Sequence, residues 1–472
     1  MKREHDVASA HPYMPTGAPE IRAEMLKEVG ADTLEDLVSD IPEKFRFRGK
    51  MNIPEPLLSE SDLKRHVESI MVRNISCADY TSFLGAGCYR HYVPAVCDEI
   101  NSRAEFLTAY VGDTYSDHGK MQAFFEYCSL MAELLEMDVV SYTTFDGGQA
   151  ACSALRMALK ITGRKKLLVP ATINPEVLSQ LRDYSGHLAE IITIDRHPET
   201  AGMELEVLDR ELDNQTAAVY IENPSYLGFL ELNAGKISDL AHSRGALFVV
   251  GADPISLGVI TPPATYGADI VCGDIQSLGL HMHYGGGCAG YIATPDEERF
   301  IASYPTYIYG ITRARDDSGF GWGRALNWRT SHGSREKANE YMGTAAGLWA
   351  ITAAVYLALM GPQGMKETGA TILARTEYAR RILGEIKGVR SNLIRAPHFR
   401  EVVVNFDNTG CSTAAVNRSL LGHGIFGGKD LSGDFPWLGQ SALYCFTEAT
   451  TADDIDRLAE ALDQILNSRE GN

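Results

Sequence analysis

From Lys165 to Thr294 the chain alternates short apolar runs with amphipathic stretches. The runs are KLLVPA, AEIITI, AAVYIENP, ALFVVGADP, ADIVCGD and AGYIAT, and SQLRDY and KISDLAHSRG are among the links between them. Such runs read as strands, and their alternation with helices specifies right-handed crossovers and a mainly parallel sheet covered on both faces. Upstream, His118 to Met137 places Met121, Phe124, Phe125, Cys128, Met131, Leu134 and Leu135 on one face, which predicts a core helix. DGGQAACSALRMALKITG predicts a small-residue helix that opens on a glycine pair. Downstream, SREKANEYMGTAAGLWAITAAVYLALMG predicts a long buried linker helix. A helix (MKETGATILARTEYARRILGEI), a strand (EVVVNF), a glycine-rich loop, a strand (ALYCFTE) and a closing helix (DDIDRLAEALDQIL) then describe a small α+β domain. The N-terminal part reads as an arm of short helices, with Gly30 ending the first, Thr33 capping a second and Ser61 capping DLKRHVESIM. Too little of it is apolar to fold alone, so it is expected to wrap the main body or a partner subunit. The pattern predicts an α/β chain in three parts: an arm over 1–66, a large α/β domain over 67–330, and a linker helix with a small α+β domain over 331–472.

Composition narrows the partners. Of 472 residues, 45% are hydrophobic, enough for a sizeable core. A formal net charge of −19, from 62 Asp and Glu against 43 Lys and Arg, argues against a nucleic-acid partner. No apolar run reaches the roughly 20 residues of a bilayer span, and the start lacks the apolar core of a signal peptide, so a cytoplasmic address without a membrane partner is expected. Nine dispersed cysteines without a CxxC pair suit reduced packing thiols and argue against a zinc site.

Candidate chemistry gathers where the strands end. SFLGAGCYRHYVP, from Ser82, forms a compact loop in which backbone N–H groups and Arg90, beside His91 and Tyr92, can meet phosphate or carboxylate; a tight turn with an arginine holding a helix end fits equally. Asp146, Gly147 and Gly148 open a helix, a natural anion seat unless the Asp146 carboxylate caps the helix and fills the seat itself. The strand ends carry Asn223, Asp253, Gln276 and Ser277, in the place where such sheets bind ligands. Asp253, at the end of an apolar strand, needs a cation or a hydrogen-bonding partner. In enzymes that hold pyridoxal phosphate on a parallel sheet that partner is the pyridinium nitrogen, and a lysine lies one helix and strand later. Here the count reaches Ser277, and no lysine occurs between Lys236 and Lys337. His281 and His283 alternate, so in an extended segment they share a face and could serve as acid or base if a cofactor were held non-covalently. Residues 311–333, which include His332, read as a polar loop at a site mouth or a subunit interface.

The loop Ser82 to Pro94, the following SRAEFLTAY, the DGGQAA helix start, ADPISLG, GADIVCGDIQSLG and REKA at Arg335 to Ala338 together resemble subunit 1, the α chain, of the two-subunit glycine decarboxylase or P-protein family. The likeness runs from about His11 to the closing helix. It implies pyridoxal-phosphate fold type I, the aspartate aminotransferase-like class. It also implies a heterotetramer with a β-type subunit that carries the cofactor lysine, and an amino-acid substrate, glycine, whose aminomethyl group passes to a lipoyl carrier protein. Asp146, Gly147, Gly148, Asn223, Asp253, Gln276 and Ser277 would then line a cofactor or pseudo-cofactor site, with Arg90, His91, Tyr92 and His332 at an interfacial one. The chain departs from the family pattern at Val111–Gly119, at NEYMGT after REKA and at Thr306–Asn327. Three other readings remain: a paralogue paired with its own β-like chain and acting on another amino acid, a stand-alone enzyme holding pyridoxal or pyridoxamine phosphate non-covalently with His281 or His283 as base, and a non-catalytic scaffold.

Overall fold

The computed structural model describes residues 17–57, 59–106, 118–338 and 346–467, apart from the side chains of His118, Gly119 and His332. The chain divides into two compact units, Met1–Asn74 and Ile75–Asn472.

In the first unit, α1 (Pro19–Glu28) starts on a proline, whose missing N–H would have no helical partner at that position anyway. Gly30 follows its end with φ 72°. Thr33 and Asp36 cap one another, with Asp36 N donating to Thr33 Oγ1 at 3.3 Å and Thr33 N to Asp36 Oδ2 at 2.7 Å, at the entry to one 3-10 turn. α2 (Glu60–Met71) is capped by Ser59, which accepts from Asp62 N, and not by the expected Ser61. No residue of α1 or α2 is buried, and Leu63, Val67, Ile70 and Met71 form an exposed apolar stripe along α2.

The second unit runs β1 (Thr81–Ser82), α3 (Ala95–Asn101), α4 (His118–Leu135), β2 (Val139–Val140), α5 (Gly147–Thr162), β3 (Lys166–Pro170), α6 (Pro175–Ser185), β4 (Glu190–Ile194), α7 (Leu205–Glu211), β5 (Thr216–Glu222), α8 (Ala234–Ser243), β6 (Leu247–Gly251), β7 (Ile270–Asp274), β8 (Gly290–Thr294) and α9 (Glu298–Ile301). It continues with β9 (Ile308–Arg313), β10 (Phe320–Ala325), α10 (Ser331–Ser334), α11 (Gly347–Gly384), β11 (Glu401–Asn405), α12 (Thr413–Leu421), β12 (Ile425–Phe426), β13 (Lys429–Asp430), β14 (Ser441–Cys445) and α13 (Ala452–Asn467).

Seven strands form one sheet in the order β2-β8-β7-β6-β5-β3-β4. The five from β7 to β4 run parallel, and β8 is antiparallel to both its neighbours. All six apolar runs became strands, and β6 shows why they read as continuous. Leu247 and Val249 enter the core on one face while Phe248 and Val250 enter the core on the other, so all four are buried. α4 packs Phe124, Cys128, Met131 and Leu135 into the Phe248 core, whereas α5 lines the Leu247 core with Ala150, Ala154 and Leu155. The fold is therefore α/β, built on one mainly parallel sheet as the strand pattern predicts.

Three expectations change. Residues 311–333 are not a plain loop, because β9 and β10 pair as an antiparallel hairpin over most of that stretch. The linker helix starts at Gly347, preceded by short turns over 331–337, and part of the predicted start lies outside the described residues. It then breaks at Gly361 (φ 58°) before Pro362, as expected where a proline cannot donate and its ring crowds the preceding turn. Although α11 is long and apolar enough to cross a bilayer, its Ala350, Ile351, Ala353, Tyr356 and Leu357 pack in the core.

In the C-terminal part, β11, β14 and β13 make an antiparallel sheet backed by α12 and α13. Phe83 joins that core, and β1 pairs in parallel with β12. The loop after β1 thus leaves from the small sheet and crosses to the carboxyl ends of the large one.

Candidate functional site

A cavity of about 520 Å3 opens at the carboxyl ends of β5, β6 and β7. Its other walls are the loop 85–89, the start of α5 and the residues Phe399–Glu401 that lead into β11.

Asp253 sits just past β6. Ser277 Oγ donates to its Oδ1 at 3.1 Å, and Arg400 Nη1 lies 2.8 Å from its Oδ2. A cation does meet this desolvated carboxylate, and the chain itself supplies it. The Arg400 guanidinium also lies over the Tyr89 ring, 3.3 Å from the centroid. Burial works against its charge, but Asp253 outweighs burial and holds the group above the ordinary arginine range.

The loop before α3 is pinned from three sides. Gln276 Oε1 accepts from Tyr89 N at 3.0 Å, and its Nε2 donates to Tyr89 O and Leu280 O at 3.0 Å each. Glu401 accepts from Ala86 N at 2.6 Å and from the Tyr89 hydroxyl at 3.3 Å. Glu448 accepts from Tyr92 N at 2.8 Å and pairs with His91 Nδ1 at 2.7 Å. Arg400 Nη1 lies 3.3 Å from His91 Nε2. A guanidinium offers only donors, so Nε2 accepts and Nδ1–H donates to Glu448. Burial pushes Glu448 up, but its pairing with His91 and the hydrogen bond from Tyr92 N pull it below the usual carboxylate range. The N–H groups of Ala86 and Tyr92 therefore meet the chain's own carboxylates, not a bound anion. Arg90 is half-buried, its carbonyl accepting from Thr447 Oγ1 at 2.5 Å, and the Tyr92 ring is exposed. The side chain of His332 lies outside the described residues.

The start of α5 is filled in the same way. Asp146 is its N-cap, accepting from Gln149 N at 2.6 Å. Asp274 accepts from Gly147 N at 2.8 Å, from Gln276 N at 2.7 Å and from Ala289 N at 3.4 Å. A Cβ on Gly147 would lie 2.9 Å from Asp274 Cβ, and one on Gly148 would lie 2.7 Å from Gln180 Oε1. Close packing against Asp274 explains Gly147 without a phosphate, whereas the Gln180 side chain could swing away from Gly148. Asp146→Ala removes the cap and is expected to destabilise the chain by about 1 kcal/mol, read as a lower urea midpoint at neutral pH; an unchanged midpoint would dismiss the cap. Burial pushes Glu222, Asp274 and Glu401 each up to about 7.

The remaining sequence candidates sit elsewhere. Asn223 is buried behind the cavity, where its Oδ1 accepts from Glu231 N at 3.2 Å and its Nδ2 reaches the Tyr266 hydroxyl at 3.4 Å, which orders the turn after β5. His281 and His283 are not in an extended segment, because His283 and Tyr284 take positive φ values of 42° and 58°. Their ring centroids lie 6.0 Å apart, His281 pairs with Asp98 at 2.9 Å, and His283 stacks on Trp349. Neither lines the cavity. Sequence reasoning missed Arg400, Glu401, Glu448 and Asp274. A signal was present for the first two: a charged pair directly ahead of the apolar run VVVNF faces the same desolvation problem as Asp253.

Pyridoxal phosphate does not fit this chain's own cavity. Among the described residues no lysine lines it, Asp253 already faces the Arg400 guanidinium, and carboxylates take the N–H groups of Gly147 and Gln149 at the start of α5. Asp146, Gly147, Gly148, Asp253, Gln276 and Ser277 line this one cavity, and Asn223 lies behind it.

Comparisons with known proteins give the chain its relatives. The family model described as "Glycine cleavage system P-protein" matches residues 11–462. A Staphylothermus marinus protein named probable glycine dehydrogenase (decarboxylating) subunit 1 is 38% identical over 467 residues, covering 97% of this chain and 99% of that one. A Geobacillus kaustophilus protein of the same name is 36% identical over 456 residues, covering 96% and 98%. The crystal structure of glycine decarboxylase (P-protein) of the glycine cleavage system, in inhibitor-bound form, superposes with a TM-score of 0.84 at 33% identity, over 95% of this chain and 98% of that chain. With a family model that spans nearly its whole length and relatives matched end to end, the chain belongs to the glycine cleavage system P-protein family.

Proposed function

We propose that this chain is the lysine-free α subunit of a pyridoxal-phosphate-dependent glycine dehydrogenase (decarboxylating). With a β-type subunit it decarboxylates glycine and passes the aminomethyl group to a lipoyl carrier protein. The observation that carries this reading is a P-protein chain whose cavity is lined by no lysine among the described residues and whose Asp253 faces the chain's own Arg400. Chemistry that needs the cofactor then belongs to a second chain bearing the lysine, and the "subunit 1" in the relatives' names supports such a partner. The exposed stripe of α2 suits a chain that is completed by association.

This chain's share is the wall. The loop from Gly85 to Tyr92 is held rigid by Gln276, Glu401 and Glu448, which leaves the Tyr92 ring and the Arg90 side chain to face the partner's site. A fixed arginine orients a substrate carboxylate by paired, charge-assisted hydrogen bonds. The reading is tested by expressing the chain alone and with a β-type subunit, then following release of labelled carbon dioxide from carboxyl-labelled glycine. Turnover is expected only in the mixture. Turnover by the lone chain, or none in a folded complex that holds the cofactor, would sink it.

A further inference from the structure

We propose that Arg400 is the permanent occupant of the cofactor-ring position in this chain, and that by gripping Asp253 on one side and Tyr89 and His91 on the other it holds the loop from Gly85 to Tyr92 as a preformed wall. The first half stands on the cavity alone. The second rests on the reading that the loop faces a site completed by the partner.

A pyridinium ring in this fold would be a flat cation, paired with an aspartate and stacked on a neighbouring side chain. The Arg400 guanidinium has each of these properties here. It is flat and charged, lies 2.8 Å from Asp253 Oδ2, and sits 3.3 Å from the centre of the Tyr89 ring. Ser277 completes the exchange by donating its hydroxyl to the other oxygen of Asp253. The remaining seat, at the start of α5, holds Asp146 and Asp274, with Glu222 and Glu401 also lining the cavity, so a dianionic phosphate would enter a wall of carboxylates.

The backbone at this point is held against its own preference. Arg400 has φ 65°, in the left-handed region that non-glycine residues avoid. Its neighbours enforce it. Phe399 N donates to Gly228 O at 2.8 Å, Phe446 N donates to Arg400 O at 2.8 Å, and a Cβ on Gly228 would lie 2.0 Å from Glu401 O. Strain kept at a buried charged residue marks a position over-determined by its surroundings. Because Arg400 precedes a strand of the small sheet while Asp253 follows one of the large sheet, the pair ties the two together. In this reading Arg400 is a positioning residue that never touches substrate.

The test begins with the lone full-length chain. Wild type is expected to retain no pyridoxal phosphate after gel filtration. Arg400→Ala strands the Asp253 carboxylate and should lower Tm by on the order of 5 °C, and millimolar guanidinium, which fits the vacated space, should narrow that gap while lowering the wild-type Tm. Arg400→Lys keeps the charge without the plane, is the milder variant if the alanine chain fails to fold, and should lower Tm less, with no response to guanidinium. Stoichiometric uptake of pyridoxal phosphate by wild type, or an unchanged Tm in both variants, would overturn the occupant. In the complex with the β-type subunit, Arg400→Ala should raise KM for glycine at least about tenfold, with guanidinium restoring part of it. A lowered Tm with kcat and KM both unchanged would leave Arg400 as an occupant and refute its positioning role. If the wild-type complex fails to turn over glycine at all, the proposed function falls while the lone-chain results still decide what fills the ring position.

Discussion

Replacing Gly85 with valine is expected to cut glycine turnover by the complex more than about 100-fold while the chain stays folded. A Cβ at this position would lie 2.6 Å from Cys445 Cβ, 3.0 Å from its Sγ and 2.7 Å from Glu401 Oε1. None of these can give way. Cys445 is in the middle of the small sheet, paired with Glu401 across β11 and β14, and Glu401 is buried with its carboxylate on Ala86 N and the Tyr89 hydroxyl. The loop must therefore move by about an ångström or more, and Tyr89, Arg90 and Tyr92 move with it. The large sheet and its two cores lie outside this contact, which leaves the fold intact. Gly235→Ala is the matched control, because a Cβ there meets nothing within 4 Å and α8 gains helix propensity. The measurement is kcat/KM of the complex beside the circular dichroism of the isolated chain. A Gly85→Val complex within threefold of wild type would show that the loop is not the wall of the site.

Stability should fall as pH rises from about 4.5 to about 7 and level off above that. Glu222, Asp274 and Glu401 each titrate near 7 in the folded chain because burial disfavours their charged forms, whereas in the unfolded chain they return to the ordinary carboxylate range. Within this window the native state holds protons that the unfolded state has released, so each group contributes stability that is present at low pH and lost as pH climbs through its folded value. His398 acts in the other direction. Burial lowers it to about 4, so the unfolded chain takes up a proton the native one refuses, and that penalty fades as pH rises towards 6.5. Burial pushes Glu231 up as well, so the raised carboxyls outweigh the one imidazole and leave a net loss of stability across the window. Urea midpoints at about pH 5, 6, 7 and 8 test it, and Glu222→Gln should flatten the curve by removing one of the raised carboxyls. A midpoint that rises steadily from acid to neutral pH would contradict the assignment.

The large sheet was legible in the sequence because its inner strands are buried on both sides, which leaves runs such as LFVVG without polar interruptions. β2 was not, being only two residues long and joined at the sheet edge. The β9–β10 hairpin was hidden because its exposed strands carry Gly and Arg where a buried strand would carry valine. In the site, Asp146, Asp253 and Ser277 could be located by counting, since strand ends and helix starts are fixed by local pattern. Their partners could not. Arg400 is supplied by a different sheet almost 150 positions later, and only the fold that brings β11 under the loop puts it on Asp253. The alternation of His281 and His283 misled for a local reason, because the glycine-rich turn around Tyr284 takes left-handed backbone that erases any two-residue period.

The uncovered stripe of α2 has a consequence for the lifetime of the subunit as well as for its assembly. Under the proposed pairing, a copy made in excess of its partner would present the apolar face of Leu63, Val67, Ile70 and Met71, the kind of feature by which chaperones and proteases distinguish orphan subunits from assembled ones. On that pairing its steady-state abundance would follow the supply of the second chain, through mass action.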